Sequence, residues 1–185
     1  MAIEGKKIYA RLDRYSTEGF SRGASRVKEL FWMLIAGRIV ASFIPGSGWR
    51  RVILRLFGSK VGIGVVIKPG VRVKFPWRLA VGAHSWIGES VWIDNLEAVS
   101  IGDHCCVSQG AYLCTGNHRW DKVTFDLECG PITIENECWI GAFALVGPGT
   151  FVETAAVLAI GTVASGKIAA QTVYSGNPCR VVKDR

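Results

Sequence analysis

From residue 61 the chain places an aliphatic side chain at every sixth position: Val61, Ile67 and Val73, then Val81, Ile87 and Ile93, then Ile101, Val107 and Leu113. After an interruption the beat resumes at Ile134, Ile140, Val146, Val152 and Leu158. The spacing is six within each triplet and eight between the first three triplets. Glycine often follows the aliphatic residue, and a mostly small side chain stands four places after it, as at Ser85, Cys105, Ala111, Cys138 and Ala144. A period of six fits neither a helix nor a long alternating strand. It predicts short strands joined by tight turns that need a permissive backbone. Within each strand the small residue, its successor and the next aliphatic alternate in, out, in. Three such strands close one triangular coil, with the two extra residues bulging at one corner. Coils stacked at about 4.8 Å then bury the aliphatics in one column. The predicted fold is mainly β, a parallel β-helix over residues 61–185 that stacks Val81, Ile101 and Ile134.

The same rule places Ser85, Cys105 and Cys138 at one inward position of successive coils, which makes both cysteines packing groups rather than chemistry. Facing outward, Trp86, Cys106 and Trp139 form one column, and Trp92, Tyr112 and Leu145 another. Large apolar groups on the outside of a solenoid suit a self-association surface or a ligand groove.

Residues 1–60 follow another pattern. Ser25 to Ile44 reads as an amphipathic to nearly all-apolar helix stopped by Pro45-Gly46, and Ser47 to Phe57 as a second, basic helix. One expectation is a cap over the exposed first edge of the solenoid. The other is an interfacial helix pair on anionic lipid.

Charge sharpens that choice without deciding it. The chain of 185 residues carries a net +7, yet residues 1–60 hold 12 Lys/Arg against 4 Asp/Glu and residues 61–185 hold 10 against 11. A basic excess confined to one third argues against a nucleic-acid enzyme and leaves a membrane surface, an anionic substrate or an ordinary solvated basic face. No apolar run reaches the roughly 18 residues of a membrane span. The first 20 residues are polar and charged, unlike a secretory signal, so a cytoplasmic protein with reduced thiols is expected. No CxxC or HxxxH spacing occurs, so no metal site is expected.

The repeat resembles the hexapeptide-repeat acyltransferases, and the flank Trp49–Gly58 resembles their colanic-acid and exopolysaccharide acetyltransferase branch. That resemblance implies a left-handed β-helix, an acetyl-coenzyme A cosubstrate, and a homotrimer with sites between subunits. It also gives meaning to the interruption, an extended loop at about 114–133. In the family a loop histidine is the catalytic base, and His118 is the residue here that matches it. An imidazole suits the task, because a sugar hydroxyl must lose its proton near neutral pH to attack a thioester. Asn117 precedes it. Asp94 and Asn95 fall at the root of the loop, where they either orient the imidazole and bind the acceptor or simply close a turn.

Toward the C-terminus, Trp139, Gly141, Ala142 and Gly147 resemble the family's coenzyme A wall. The ending Val173–Val182 matches its terminal motif, with Arg180, and also Lys183, as phosphate contacts. Lys167 stands one place away from the usual lysine, and the prolines that follow it in relatives are missing. His84 and His104 occupy one turn position of adjacent coils and are expected to stack at a solvent-facing corner. Their spacings of 20 and 14 to the next histidine do not match the zinc hydratases built on this fold.

The predicted function is therefore O-acetylation of a sugar hydroxyl in exopolysaccharide synthesis, by direct transfer because no Ser-His-Asp array is present. The alternatives are acetylation of a small sugar, an amino sugar or a xenobiotic, and a non-catalytic scaffold.

Overall fold

A computed structural model describes residues 9–185; the first eight residues of the basic N-terminal unit lie outside the described residues. Three parallel sheets form the faces of a prism of about six coils. The first sheet has six strands, from Lys60–Val61 to Lys167–Ile168. The second runs from Val66–Ile67 to Thr172–Ser175, and a final antiparallel strand, Arg180–Asp184, makes seven. The third has five, from Arg72–Val73 to Val163–Ala164.

Register follows the hexapeptide beat. Val61 lies beside Val81, then Ile101, Ile134, Val152 and Ile168 in one unbroken ladder. All six are buried. Each such aliphatic contributes about 1.5–3 kcal/mol of transfer free energy. Ser85, Cys105 and Cys138 stack inside as the period requires. The Ser85 hydroxyl accepts the Cys105 N–H at 2.9 Å, and the Cys105 thiol donates to the Glu135 carbonyl at 2.9 Å. Contact with Cys105 and burial push the Cys138 thiol far up, while the same contact draws the Cys105 thiol down; both are buried in the column, out of reach of a substrate. All six cysteines are free.

The helical segment begins at Arg26, where the Ser25 hydroxyl accepts the Lys28 N–H. Helix α1 (Arg26–Phe31) continues through a π turn (Trp32–Ala36) into α2 (Gly37–Val40). Helix α3 (Gly48–Leu56) follows. The first rod thus ends four residues before the expected Ile44, because Arg50, fully buried, draws in the carbonyls of the turn. Its guanidinium donates to Val40 O at 2.9 Å, Ser42 O at 2.5 Å and Gly46 O at 2.5 Å.

These helices cap the coil. In the stack, each coil's orphan groups are met by the next, but the first coil has no predecessor. Its exposed carbonyls are taken by side chains of the cap: Val61 O by Arg55 Nε at 2.9 Å, Val65 O by Arg51 Nη1 at 2.6 Å, and Val73 O by Trp32 Nε1 at 2.9 Å. The Ser47 hydroxyl serves Ile67 twice, accepting its N–H at 3.0 Å and donating to its carbonyl at 3.1 Å. Ser47 was expected only to start a helix; it makes no cap bond to α3.

One corner, between the third and first sheets, absorbs all the irregularity. In the first coil it holds a 3-10 turn, Pro76–Arg78, and in the second the short link Asn95–Ala98. In the third it opens into residues 115–131.

Candidate active site

The excursion is built as an antiparallel ribbon. Gly116–His118 pairs with Leu127–Cys129, His118 lying opposite Leu127 and Asn117 opposite Glu128. Beyond it the Arg119 N–H donates to Asp126 O, and ion pairs Arg119–Asp121 and Lys122–Asp126 close the tip. The Arg119 guanidinium holds the Asp121 carboxyl well down, to about 2.

His118 is half-buried on one side of this ribbon. Its Nδ1 lies 3.2 Å from the carbonyl of Phe125. A carbonyl can only accept, so Nδ1 carries a proton, and in the neutral imidazole the lone pair is then on Nε2. Phe125, at φ 48°, sits in the left-handed region, which for a side chain this large is strained backbone. Its ring also stacks on the imidazole, centroids 4.4 Å apart and 7° from parallel. The ring of Tyr15 meets the imidazole at 5.7 Å and 58°. Tyr15 is brought there by two backbone bonds between the N-terminal segment and the loop: Arg11 N–H to Val123 O at 2.7 Å and Leu127 N–H to Ser16 O at 3.5 Å. Neither ring was predicted. Phe125 lies within the expected loop, but no periodicity places Tyr15 near residue 118.

The acceptor-side residues divide. Asn117 is exposed and, next to His118 in a strand, points to the opposite side of the ribbon. Asp94 is mostly buried; it accepts from the Tyr112 hydroxyl at 3.1 Å and lies 3.0 Å from Lys74 Nζ. Burial, a contact with Cys114 and the Asp94 charge push the Tyr112 hydroxyl far up, so it stays a donor. Asn95 is corrected: it is fully buried, accepting the Phe75 N–H at 2.9 Å and donating to the Phe75 carbonyl at 2.7 Å. Its amide ties this corner to the preceding coil and, being fully buried, is out of reach of a sugar.

A groove of about 740 Å³ runs along the second sheet and its corner with the third. Trp139, Gly141 and Ala142 line one wall, Ile160 the upper corner, and Lys183 of the final strand with Arg185 just past it the far end. The Trp139 indole is oriented by donating to the Ser108 hydroxyl at 2.9 Å. Ser108 and Gln109 also line a second hollow of about 380 Å³ that continues toward Trp86, Glu89 and Lys68. Such volumes suit a long, partly apolar ligand with a charged end.

Three expected donor contacts lie elsewhere in the chain. Gly147 is buried at the irregular corner, where its N–H donates to Ala164 O at 2.9 Å. Lys167 is on the first sheet, 2.8 Å from Glu153 Oε1, and that pair holds the Glu153 carboxyl below its usual range. Arg180 opens the last strand on the exposed surface without lining the groove, whereas Arg185, which was not singled out, does line it. The period places residues in coils but does not say how the tail folds back.

His118 and the groove stand at different corners of the prism, and no loop residue lines the groove. Among the described residues no group of three or more His, Cys, Asp or Glu is placed to hold a metal. His84 and His104 stack at an exposed corner, 5.3 Å apart and 16° from parallel.

No family model matches the chain. The chain is 35% identical over 170 residues to the protein named as the colanic acid biosynthesis acetyltransferase WcaF of Escherichia coli, covering 91% of this chain and 92% of that one. It is 25% identical over 138 residues to the galactoside O-acetyltransferase of the same organism, covering 73% and 68%. In structure it resembles the hexapeptide-repeat acetyltransferase VCA0836 of Vibrio cholerae complexed with acetyl-coenzyme A, with a TM-score of 0.80 at 21% identity over 93% of this chain and 96% of that one. It likewise resembles a maltose O-acetyltransferase of Clostridium difficile, with a TM-score of 0.77 at 23% identity over 85% and 87%. The chain belongs to the hexapeptide-repeat acetyltransferases, in the branch of the colanic acid biosynthesis enzymes.

Proposed function

We propose that this protein moves the acetyl group of acetyl-coenzyme A to a hydroxyl of a carbohydrate in exopolysaccharide synthesis, with His118 as general base. The observation that carries the reading is the imidazole whose Nδ1–H is held by the Phe125 carbonyl, leaving Nε2 free to take a proton. The thioester supplies the activated acyl group. Nε2 removes the hydroxyl proton as the oxygen attacks the carbonyl carbon, the C–S bond breaks, and the thiolate leaves. A backbone N–H of the coil steadies the oxyanion. Transfer is direct, a reading that rests on the sequence holding no Ser-His-Asp array.

Residues Trp139, Gly141, Ala142, Lys183 and Arg185 form the donor groove, the two cations meeting the nucleotide phosphates. Lys167, paired with Glu153, and Arg180 lie outside it. Because imidazole and groove stand at separate corners of one chain, the complete site takes His118 from one copy and the groove from its neighbour in a homotrimer. Asp94, near the root of the loop, then borders that shared space, while Asn117 on the opposite side of the ribbon and the buried Gly147 take no part in it. A coenzyme A thioester as donor places the reaction in the cytoplasm.

The test is release of free coenzyme A thiol across a panel of sugar acceptors. His118→Ala is expected to lower kcat by about 10²–10⁴-fold with the KM for acetyl-coenzyme A nearly unchanged. Full turnover in that variant removes the base from the mechanism.

A further inference from the structure

The cap has an outer side that the coil leaves uncovered. Along the rod from α1 to α2 only Glu29, Trp32, Ala36 and Val40 are buried. Nine large apolar side chains of residues 27–44 are instead exposed, among them Val27, Leu30, Met33, Leu34, Ile39 and Phe43, the last 83% exposed. A helix apolar all round is either inside a protein or inside lipid, and among the described residues this one is covered along one stripe only. At about 1.5 Å per residue a rod of this length cannot cross a bilayer, and no helix of the described residues is long and apolar enough to do so. It can lie in one.

The charge around that face selects the occupant. Residues 21–60 hold eight Lys/Arg and a single acid, Glu29, a net of +7 that equals the net charge of the whole chain. Glu29 is buried and paired with Arg22. Arg50, Arg51 and Arg55 are turned inward to backbone carbonyls of the turn and the first coil, so they add to the long-range positive field of the cap without lying on its outer face. Arg26 and Arg38 are exposed at the two ends of the apolar rod. A second copy of this chain placed on the face would bring like charges together. An anionic bilayer surface would instead bury the apolar groups among its acyl chains and neutralise the cations.

We propose that the outer side of the helical cap seats the protein on an anionic phospholipid surface, with the rod of α1 and α2 lying in the plane of the interface. The proposal is independent of the acetyl-transfer chemistry and stands or falls without it.

The test is co-sedimentation of the full chain with vesicles of phosphatidylcholine alone and of phosphatidylcholine mixed with phosphatidylglycerol. Binding is expected to the mixed vesicles and to weaken as salt is raised. Arg26→Ala with Arg38→Ala is expected to weaken it by about thirtyfold, each charge near the surface counting about fivefold. Leu34→Ser with Phe43→Ser should abolish it. All four side chains are exposed, so the melting temperature and the far-UV circular dichroism of the parent should persist in these variants and report an intact fold. No preference for the anionic vesicles overturns the proposal, as does wild-type binding in either double variant. Self-association lost in Leu34→Ser with Phe43→Ser, without vesicle binding, overturns it in favour of a second copy as the occupant.

Discussion

The coils and the excursion at residues 115–131 solve the same problem of holding backbone in place by opposite means. In the coils every strand between the first and last turns is paired above and below, and the side chains that matter point inward into a continuous aliphatic column. The excursion has no interior. It is ordered by one short ribbon, by ion pairs at its tip, and by the N-terminal segment laid against it. The coil column uses residue types interchangeable among aliphatics, whereas the excursion concentrates groups with fixed chemistry. Regularity supplies rigidity, and the one corner released from it supplies a side chain that can reach outward.

Four substitutions sharpen that division. Ile134→Ala, in the middle of the column, should cost about 2–5 kcal/mol, read as a large drop in unfolding temperature with kcat per folded molecule preserved. Loss of turnover at intact stability would break the division. Arg50→Ala leaves the carbonyls of Val40, Ser42 and Gly46 without their buried donor; about 3 kcal/mol is expected from denaturant unfolding, again without a change in chemistry. Tyr15→Ala should do the reverse. Removing the ring beside His118 is expected to lower kcat about tenfold with the melting temperature nearly unmoved, and Tyr15→Phe should restore turnover because the contact is made by the ring.

The smallest effect concerns pH. Lys167, and then the Ala170 N–H, hold the Glu153 carboxyl below its usual value. Its contribution to stability is therefore present above the unfolded-state value of about 4.3 and lost as pH falls through the lower folded value. Glu153→Gln should melt slightly earlier than the parent at pH 7, and the two curves should converge in acid.

Much of this division was legible in the sequence. The six-residue beat assigns inward and outward positions through fourteen aliphatic sites, and the ladder from Val61 to Ile168 follows it. His118 stood out because the beat stops around it. What the beat could not carry is whatever depends on contacts far apart in sequence. Tyr15 meets His118 across a hundred residues. Arg185 reaches the groove only because the tail folds back as an antiparallel strand. Asn95 read equally well as a ligand group or a turn, and only its two bonds to Phe75 decide. The arginines of α3 looked like a lipid-facing stripe, yet Arg51 and Arg55 are turned inward to the first coil's carbonyls. Side chains with two plausible partners are sorted by geometry, not by type.

The most direct test of a catalytic site assembled from an excursion on one copy and a groove on the next is subunit mixing. His118→Ala lacks the base and Ala142→Trp blocks the groove, so each alone should be inactive. Unfolded together in equal amounts and refolded, they should regain about a quarter of the parent's turnover, the chance that a site draws an intact residue from each of two neighbours. No recovery from the mixture, with both variants folded and assembled, would place base and groove in a single chain and contradict the shared site.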